Sequence, residues 1–351
     1  MFPQTQPALP SCAWFLVGPT AVGKTAVAQV LAERTGADIL SADAMLVYRG
    51  MDIGTAKPLP AERGAVRYFG MDLASPDEPF SAGAWLAAVR KEINSAAPRA
   101  SELIVAGGTG LYVRALVQGL DARAADPARR EYWQARLERE GLPALRREWE
   151  SRAPQAAVLA DPDNPRRVIR ALEHLESVGE LPENWRATPR PRVVGLRLPR
   201  PALHARIAAR VERMFAQGFV EEVAALRARF PSWASGKGRD GSPSRPPCAG
   251  PRLVSEGAAV SGDAYSSPAT AQLAIGYAEV CALLDKRLTR AQAMAQIATR
   301  TRQLAKRQET WFRHQADVTW VEIAPDEPVA AMAARVLAVW SEHGATPIRL
   351  S

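Results

Sequence analysis

Eight residues near the N-terminus carry a pattern that proteins use to bind phosphate groups. Their sequence is Gly18-Pro19-Thr20-Ala21-Val22-Gly23-Lys24-Thr25, with the spacing G-x-x-x-x-G-K-S/T. Glycines allow successive backbone N–H groups to turn toward phosphate oxygens, and Lys24 adds a positive charge. The hydroxyl of Thr25 can ligate Mg²⁺. This stretch, called the phosphate loop below, therefore predicts a phosphate site with Mg²⁺ as its cofactor.

The residues on either side of the phosphate loop predict the elements that position it. An apolar run over 13–17 indicates a buried strand, and the residues at 26–32 favour a helix that Gly36 ends. The N-terminus of that helix adds a partial positive charge to the phosphate site. Strand, loop and helix follow in the order that such a site requires.

Two further predicted strands end close to side chains that could react. The strand at 38–41 is followed by Asp43, and the strand at 102–106 is followed by Gly107-Gly108-Thr109. Ligands of an open α/β sheet lie outside the carboxyl ends of its strands, so Asp43 is expected beside the bound phosphates. The hydroxyl of Thr109 either faces the active site or caps the helix predicted over 111–118.

The carboxylate that phosphoryl-transfer enzymes place at the end of an apolar strand is missing from the strand at 102–106. Asp43 is the well-placed acid instead. Either Asp43 acts on an acceptor hydroxyl, as in a kinase, or the phosphates belong to a ligand other than ATP.

The chain has 351 residues, enough for two domains. Predicted strands alternating with helices indicate the α/β class: a parallel-sheet core over 11–120 and 190–351. Residues 121–189 are rich in Arg, Glu, Ala and Leu and predict an inserted helical subdomain. More than half of residues 235–268 are Gly, Pro or Ser, so this segment is predicted to be a disordered insertion.

The composition favours an anionic partner and a reducing compartment. The formal net charge is +8, which suits a polyanion. The cysteines at positions 12, 248 and 281 form neither a disulfide framework nor a zinc pattern. The apolar run at 13–17 is too short for a signal or membrane segment. A cytoplasmic protein without membrane association is expected.

Arginines recur on three predicted helices. Those at 166, 167 and 170 either contact a phosphate backbone or form a salt-bridged surface. Those at 206, 210 and 213 lie along one side of a helix over 201–217. The helix over 289–313 combines cations with Trp311 and Phe312, which suits nucleic acid because rings can stack on bases; an aromatic anchor in the core is the alternative.

The chain resembles the tRNA dimethylallyltransferases, also called tRNA isopentenyltransferases, in a series of ordered blocks between about residues 12 and 320. These blocks are Gly18–Thr25, Leu40-Ser41-Ala42-Asp43, Tyr48–Pro58, Gly107-Gly108-Thr109, Asp163–Glu173, Ile275-Gly276-Tyr277 and Thr301–Gln308. The resemblance implies a core like that of P-loop NTPases, adapted to bind a prenyl diphosphate.

The reaction that the resemblance implies is dimethylallyl transfer from its diphosphate to N6 of the adenosine 3′ to the anticodon, in tRNAs that read codons beginning with U. Residues Gly18 to Thr25 then bind the diphosphate, and pyrophosphate leaves. Asp43 would be the general base, Thr109 would hold the target base, and Arg210, or else Arg206, would neutralise the pyrophosphate. The resemblance also implies a monomer.

The tRNA contacts that the resemblance implies involve the following residues: Asp43, Ala44, Met45, Leu46, Thr109, Arg130, Arg166, Arg167, Val168, Ile169, Arg170, Leu273, Ala274, Ile275, Gly276, Tyr277, Ala278, Lys306, Arg307, Gln308, Trp311 and Arg313. Ala44, Leu46 and Ala278 depart from the usual family pattern, which has polar or basic residues at these positions.

Three other functions compete with this interpretation. An adenylate isopentenyltransferase, which uses free AMP, lacks the full helical insertion predicted at 121–189. A small-molecule kinase is disfavoured by the missing strand-end carboxylate. A non-catalytic RNA-binding protein is disfavoured because Lys24, Thr25 and Asp43 are all present.

The insertion at 235–268 is not part of the family pattern, which generates a first prediction. Replacing it with a short linker should leave dimethylallyl transfer to tRNA unchanged, because nothing in its composition supports a folded binding element. A loss of tRNA affinity in the shortened protein would show instead that the insertion binds RNA.

Overall fold

The computed structural model describes residues 9–96, 102–119, 126–153, 162–178, 190–230 and 270–350. The described residues form two compact units, one from residues up to 117 and from 190 onward, the other from residues between 118 and 189. The predicted insertion at 235–268 lies outside the described residues, as does Cys248.

Seven strands in the described part of the chain form one sheet in the first unit. They are β1 (Cys12–Val17), β2 (Asp38–Ser41), β3 (Tyr68–Phe69), β4 (Glu102–Ala106), β5 (Arg192–Arg197), β6 (Asp317–Glu322) and β7 (Thr346–Pro347). The order is β3-β2-β4-β1-β5-β6, with every pair along this path parallel, and β7 pairs antiparallel with β1.

Helices flank this sheet in the first unit. They are α1 (Lys24–Thr35), α2 (Pro60–Arg63), α3 (Ala82–Ala96), α4 (Gly110–Gln118), α8 (Arg200–Ala216), α9 (Phe219–Arg229), α10 (Tyr277–Leu284), α11 (Arg290–Gln315) and α12 (Val329–His343). The second unit contains α5 (Pro127–Glu140), α6 (Leu142–Arg152) and α7 (Pro165–Val178). The predicted α/β class is confirmed.

The central strands are apolar on both faces, as a sheet covered by helices on both sides requires. Phe15 and Leu16 of β1 are buried, as are Leu103 and Val105 of β4. Because β2, β4 and β1 are parallel neighbours, their carboxyl ends meet at one edge of the sheet. The phosphate loop, Asp43 and Thr109 all follow that edge.

Gly276 separates a 3₁₀ turn at Thr270–Leu273 from α10 and has φ 105°. A Cβ on Gly276 would lie 2.9 Å from the ring of Phe219, so glycine is required for both conformation and space. The short elements α2, β3 and β7 have no counterpart among the predicted elements.

The loop at 48–58 lies over the sheet edge and is fastened by Glu222 of α9. The Glu222 carboxylate accepts hydrogen bonds from the backbone N–H groups of Asp52 (2.9 Å), Ile53 (2.6 Å) and Gly54 (3.1 Å). It also accepts one from the hydroxyl of Tyr277 at 2.8 Å. Backbone amides and a carboxylate thus fix the course of this loop.

A buried ammonium group holds the same loop from its other end. The Nζ atom of Lys57 lies 2.6 Å from carboxylate oxygens of both Asp52 and Asp72. It also donates to the Tyr48 carbonyl at 2.7 Å. All three donor hydrogens of the lysine are therefore used, which makes its burial tolerable.

Glu222→Ala should lower the free energy of unfolding by about 3 kcal/mol, because it leaves three backbone donors and the Tyr277 hydroxyl without their acceptor. Urea unfolding of wild type and variant measures the difference.

The matched control is Glu221→Ala, since Glu221 is exposed in the same helical turn. It should cost less than about 1 kcal/mol. Equal losses in the two variants would contradict the role given to Glu222.

Candidate functional site

The phosphate loop adopts backbone conformations that need glycine. Gly18 has φ 139° and Gly23 has φ 112°. A Cβ on Gly18 would lie 2.6 Å from the carbonyl oxygen of Leu196 in β5, so the loop can approach the sheet only with glycine there. The helix α1 begins directly after Gly23, and its first turn contains no acidic residue. Its positive end is thereby left available to an anion.

Lys24 lies folded over the loop. Its Nζ atom donates to the carbonyls of Gly18 at 3.0 Å and Pro19 at 2.8 Å. Burial lowers the pKa of Lys24 to about 8; Asp43 opposes this shift, and Arg210 adds to it. An incoming anion would supply the countercharge that this amine lacks.

Asp43 and Thr109 both bind backbone N–H groups of the segment that follows β2. Oδ1 of Asp43 accepts a hydrogen bond from the Met45 N–H at 2.9 Å, which fixes the carboxylate. Oγ1 of Thr109 accepts one from the Ala44 N–H at 2.9 Å. The hydroxyl of Thr109 therefore joins the two loops.

Two arginines of α8 reach the phosphate loop and hold it differently. Arg206 donates to the carbonyls of Val22 (3.0 Å) and Pro325 (2.6 Å). Arg210 donates to the Thr20 hydroxyl at 3.2 Å and to the Thr55 carbonyl at 3.1 Å. Both guanidinium groups thus link the loop to another segment of the first unit.

Arg210 is the arginine whose charge is coupled to the other charged groups of the site. Burial lowers the pKa of its guanidinium, which Asp43 opposes and Arg213 reinforces. Because Asp43 also acts on Lys24, the three charges form one electrostatic group beside the loop.

Helix α11 contributes two uncharged contacts to the same edge. Oε1 of Gln308 accepts a hydrogen bond from the Thr20 N–H at 2.8 Å, and its Nε2 donates to the Gly108 carbonyl at 3.1 Å. The ring of Trp311 packs on Gly110, where a Cβ would lie 2.1 Å from the ring. Nothing in the sequence indicated these backbone contacts of Gln308, and the same is true of Glu222.

The predicted tRNA contacts of the first unit differ in accessibility. Leu273, Ala278, Lys306, Arg307 and Arg313 are exposed, whereas Ala44, Met45, Leu46, Ile275, Gln308 and Trp311 are partly buried. Ala274, Gly276 and Tyr277 are buried, and their contact with tRNA stays a prediction. Burial and the neighbouring Glu222 raise the pKa of Tyr277 well above its ordinary value, so it stays a neutral donor.

The predicted tRNA contacts of the second unit include charged side chains that form ion pairs and apolar side chains that lie in its core. Arg130 and Arg170 both pair with the buried carboxylate of Glu173, at 3.0 and 3.1 Å. The side chains of Val168 and Ile169 lie in the core of this unit, and their contact with tRNA stays a prediction. Its described core residues also include Trp133, Trp149 and Leu172. The last two predicted residues, Arg166 and Arg167, lie in the first turn of α7.

Metal binding would depend on the bound anion. Among the described residues, no group of three or more His, Cys, Asp or Glu side chains could hold a metal ion. Thr25 is exposed in the first turn of α1, where a hydroxyl can join phosphate oxygens around Mg²⁺. In the same described ranges, no helix is both long enough and apolar enough to cross a membrane.

Comparison with known sequences identifies one family. A family model described as IPP transferase matches residues 46–315. The chain is 37% identical over 330 residues to tRNA dimethylallyltransferase 2 of Syntrophus aciditrophicus, an alignment that covers 92% of this chain and 95% of that protein. It is 39% identical over 330 residues to the tRNA dimethylallyltransferase of Anaeromyxobacter sp. strain K, covering 92% and 96%.

Solved structures show the same likeness. The full-length tRNA isopentenylpyrophosphate transferase of Bacillus halodurans superposes with a TM-score of 0.59 at 30% identity, over 95% of this chain and 97% of that one. A eukaryotic dimethylallyltransferase acting on tRNA shares the fold, with a TM-score of 0.65 at 20% identity over 97% and 81%.

The lowered pKa of Lys24 predicts how anion binding depends on pH. A pyrophosphate at this loop would bind the charged amine, so its affinity should be constant below the pKa of about 8 in the free protein and fall as pH rises above it. Isothermal titration with inorganic pyrophosphate between about pH 7 and pH 9.5 measures this fall.

Lys24→Arg is the control, because a guanidinium stays charged over this range. The ratio of wild-type to variant affinity cancels the ionisation of pyrophosphate itself. A ratio that does not change with pH would contradict the assignment.

Proposed function

The chain belongs to the IPP transferase family, and we propose that it transfers a dimethylallyl group from dimethylallyl diphosphate to N6 of an adenosine in tRNA. The adenosine is the one 3′ to the anticodon, in tRNAs that read codons beginning with U. The observation that carries this proposal is that Asp43 follows β2 at the same sheet edge as the phosphate loop, over which Lys24 folds and to which Arg210 bonds through the Thr20 hydroxyl. One base and two cations at one site suit an amine nucleophile and a diphosphate leaving group.

The diphosphate of the donor occupies the phosphate loop. The N-terminus of α1 and the backbone N–H groups of the phosphate loop other than those of Thr20 and Val22, which are bonded within the protein, surround its oxygens. Lys24 and Arg210 oppose the charge that develops on pyrophosphate. Mg²⁺ held by Thr25 would neutralise further charge on the same oxygens. The absence of a carboxylate at the end of β4, where Gly107 and Gly108 follow, supports a function other than phosphoryl transfer.

The chemical step forms one bond and breaks another at C1 of the dimethylallyl group. The N6 nitrogen of adenine attacks this carbon, and the C–O bond to the diphosphate breaks with its electron pair leaving on pyrophosphate. N6 is a weak nucleophile because its lone pair is delocalised into the ring. Asp43 accepts the proton that N6 loses, and general-base help of this kind contributes about 10²- to 10⁴-fold.

Thr109 acts by fixing the loop that carries the general base, Asp43. Its hydroxyl oxygen accepts from the Ala44 N–H, so its own proton remains available to the adenine. The adenine must leave its stack in the anticodon loop to reach Asp43, as in other enzymes that modify bases.

Exposed cations support tRNA as the acceptor. Lys306, Arg307 and Arg313 are exposed on α11, and Arg130 is exposed in the second unit. Arg170 is partly buried and pairs, like Arg130, with Glu173. Cations in such positions contact phosphates and fix the register of an RNA. Free AMP would need none of them, which disfavours an adenylate isopentenyltransferase. We further propose that the protein acts as a monomer in the cytoplasm.

Asp43→Asn should reduce the rate of the chemical step by about 10²- to 10⁴-fold, because the amide cannot accept a proton at neutral pH. Single-turnover transfer to tRNA measures this rate. Affinity for tRNA should stay near the wild-type value, since the amide oxygen can still accept from the Met45 N–H. Near-normal turnover in this variant would remove Asp43 from the mechanism.

The acceptor is tested by offering labelled dimethylallyl diphosphate with tRNA, AMP or ADP in parallel reactions. Label is expected in tRNA alone, at the adenosine 3′ to the anticodon. Label in AMP or ADP but not in tRNA would overturn the proposed function.

A further inference from the structure

We propose that Gln308 is a positioning residue for the donor diphosphate: it sets the geometry of the phosphate loop and does not contact tRNA. This inference rests on the proposed function, because the diphosphate that it positions is that of the donor. It also replaces the role that family resemblance implies for this residue.

Both ends of the Gln308 side chain are engaged with backbone groups of the site. Its oxygen accepts from the Thr20 N–H at 2.8 Å, and its nitrogen donates to the Gly108 carbonyl at 3.1 Å. Since one end accepts and the other donates, the amide has one orientation in which both bonds form. Gln308 thereby joins the phosphate loop to the loop after β4.

The glycine at 108 allows this close approach. A Cβ on Gly108 would lie 2.2 Å from Nε2 of Gln308, so any larger residue would push the amide away from the phosphate loop. The missing side chain at Gly108 therefore leaves the space that the Gln308 amide occupies.

Thr20 forms hydrogen bonds with two side chains from distant helices, Gln308 of α11 and Arg210 of α8. Its N–H is held by Gln308, and its hydroxyl is held by Arg210. Without Gln308, the Thr20 N–H loses its partner, and the side chains that still hold the segment before Gly23 are the cations Lys24, Arg206 and Arg210. An incoming anion would attract these cations, whereas the Gln308 amide carries no charge and would keep its bonds to the loop.

Neighbouring residues on α11 show why a tRNA contact does not suit Gln308. Lys306 and Arg307 are exposed, whereas Gln308 is partly buried with its two polar atoms already paired. Successive residues on a helix point about 100° apart, so one helix can present cations outward and hold the phosphate loop inward.

Two affinities distinguish a role in positioning the donor from a role in contacting tRNA. One is the affinity for inorganic pyrophosphate with Mg²⁺, measured by isothermal titration. The other is the affinity for an anticodon stem-loop RNA, measured by fluorescence anisotropy. Gln308→Ala and the similarly sized Gln308→Met should each weaken pyrophosphate binding about tenfold, the effect of two lost hydrogen bonds, with RNA affinity within about twofold of wild type. In the transfer assay the same variants should raise KM for the donor and leave KM for tRNA unchanged.

Two controls lie on the same helix. Gln303→Ala removes an exposed glutamine and should change neither affinity. Arg307→Ala should weaken RNA binding and leave pyrophosphate binding unchanged. Thermal unfolding of every variant shows whether it is folded, and if Gln308→Ala is not, Gln308→Met gives the result.

The proposal is overturned if pyrophosphate affinity is unchanged in the Gln308 variants, or if RNA affinity falls more than pyrophosphate affinity. A fall in pyrophosphate binding that matches the unfolded fraction would also overturn it. Both binding measurements remain valid if wild type transfers no dimethylallyl group, so failure of the proposed function is distinguishable from failure of this inference.

Discussion

The site depends on holding two cations, Lys24 and Arg210, and the Asp43 carboxylate together around the backbone amides of the phosphate loop. Burial makes the charges on Lys24 and Arg210 less stable, and each repels the other, while Asp43 offsets part of this cost. Without a ligand, the buried positive charges therefore carry an electrostatic cost. A bound anion would reduce that cost. The rest of the first unit supplies the restraints that keep these groups in place.

Those restraints come from elements that are far apart along the chain. Helix α8 holds the phosphate loop through Arg206 and Arg210, and α11 holds it through Gln308. The loop at 48–58 is fixed by Glu222 of α9, and its Thr55 carbonyl in turn receives Arg210. Preorganisation of this kind is what electrostatic catalysis requires, because groups already in place need no rearrangement as charge develops.

The two sides of helix α11 face different surroundings. Its exposed side carries Lys306 and Arg307, which suit an RNA backbone, and its inner side carries Gln308 and Trp311 against the sheet edge. The sequence predicted a basic helix with aromatic residues from composition and spacing. It left open whether the rings stack on bases or pack inside; Phe312 is buried, and Trp311 packs on Gly110.

The sequence alone determined the α/β class, the phosphate loop with the strand and helix beside it, and the place of Asp43 after β2. These features are local: they follow from glycine conformations, apolar runs and the shared carboxyl edge of parallel strands. Tertiary structure decided that Tyr277, Val168 and Ile169 are buried and that Gln308 binds the Thr20 N–H across 288 residues of chain. Burial and long-range hydrogen bonds depend on which elements pack together, and no local pattern encodes that.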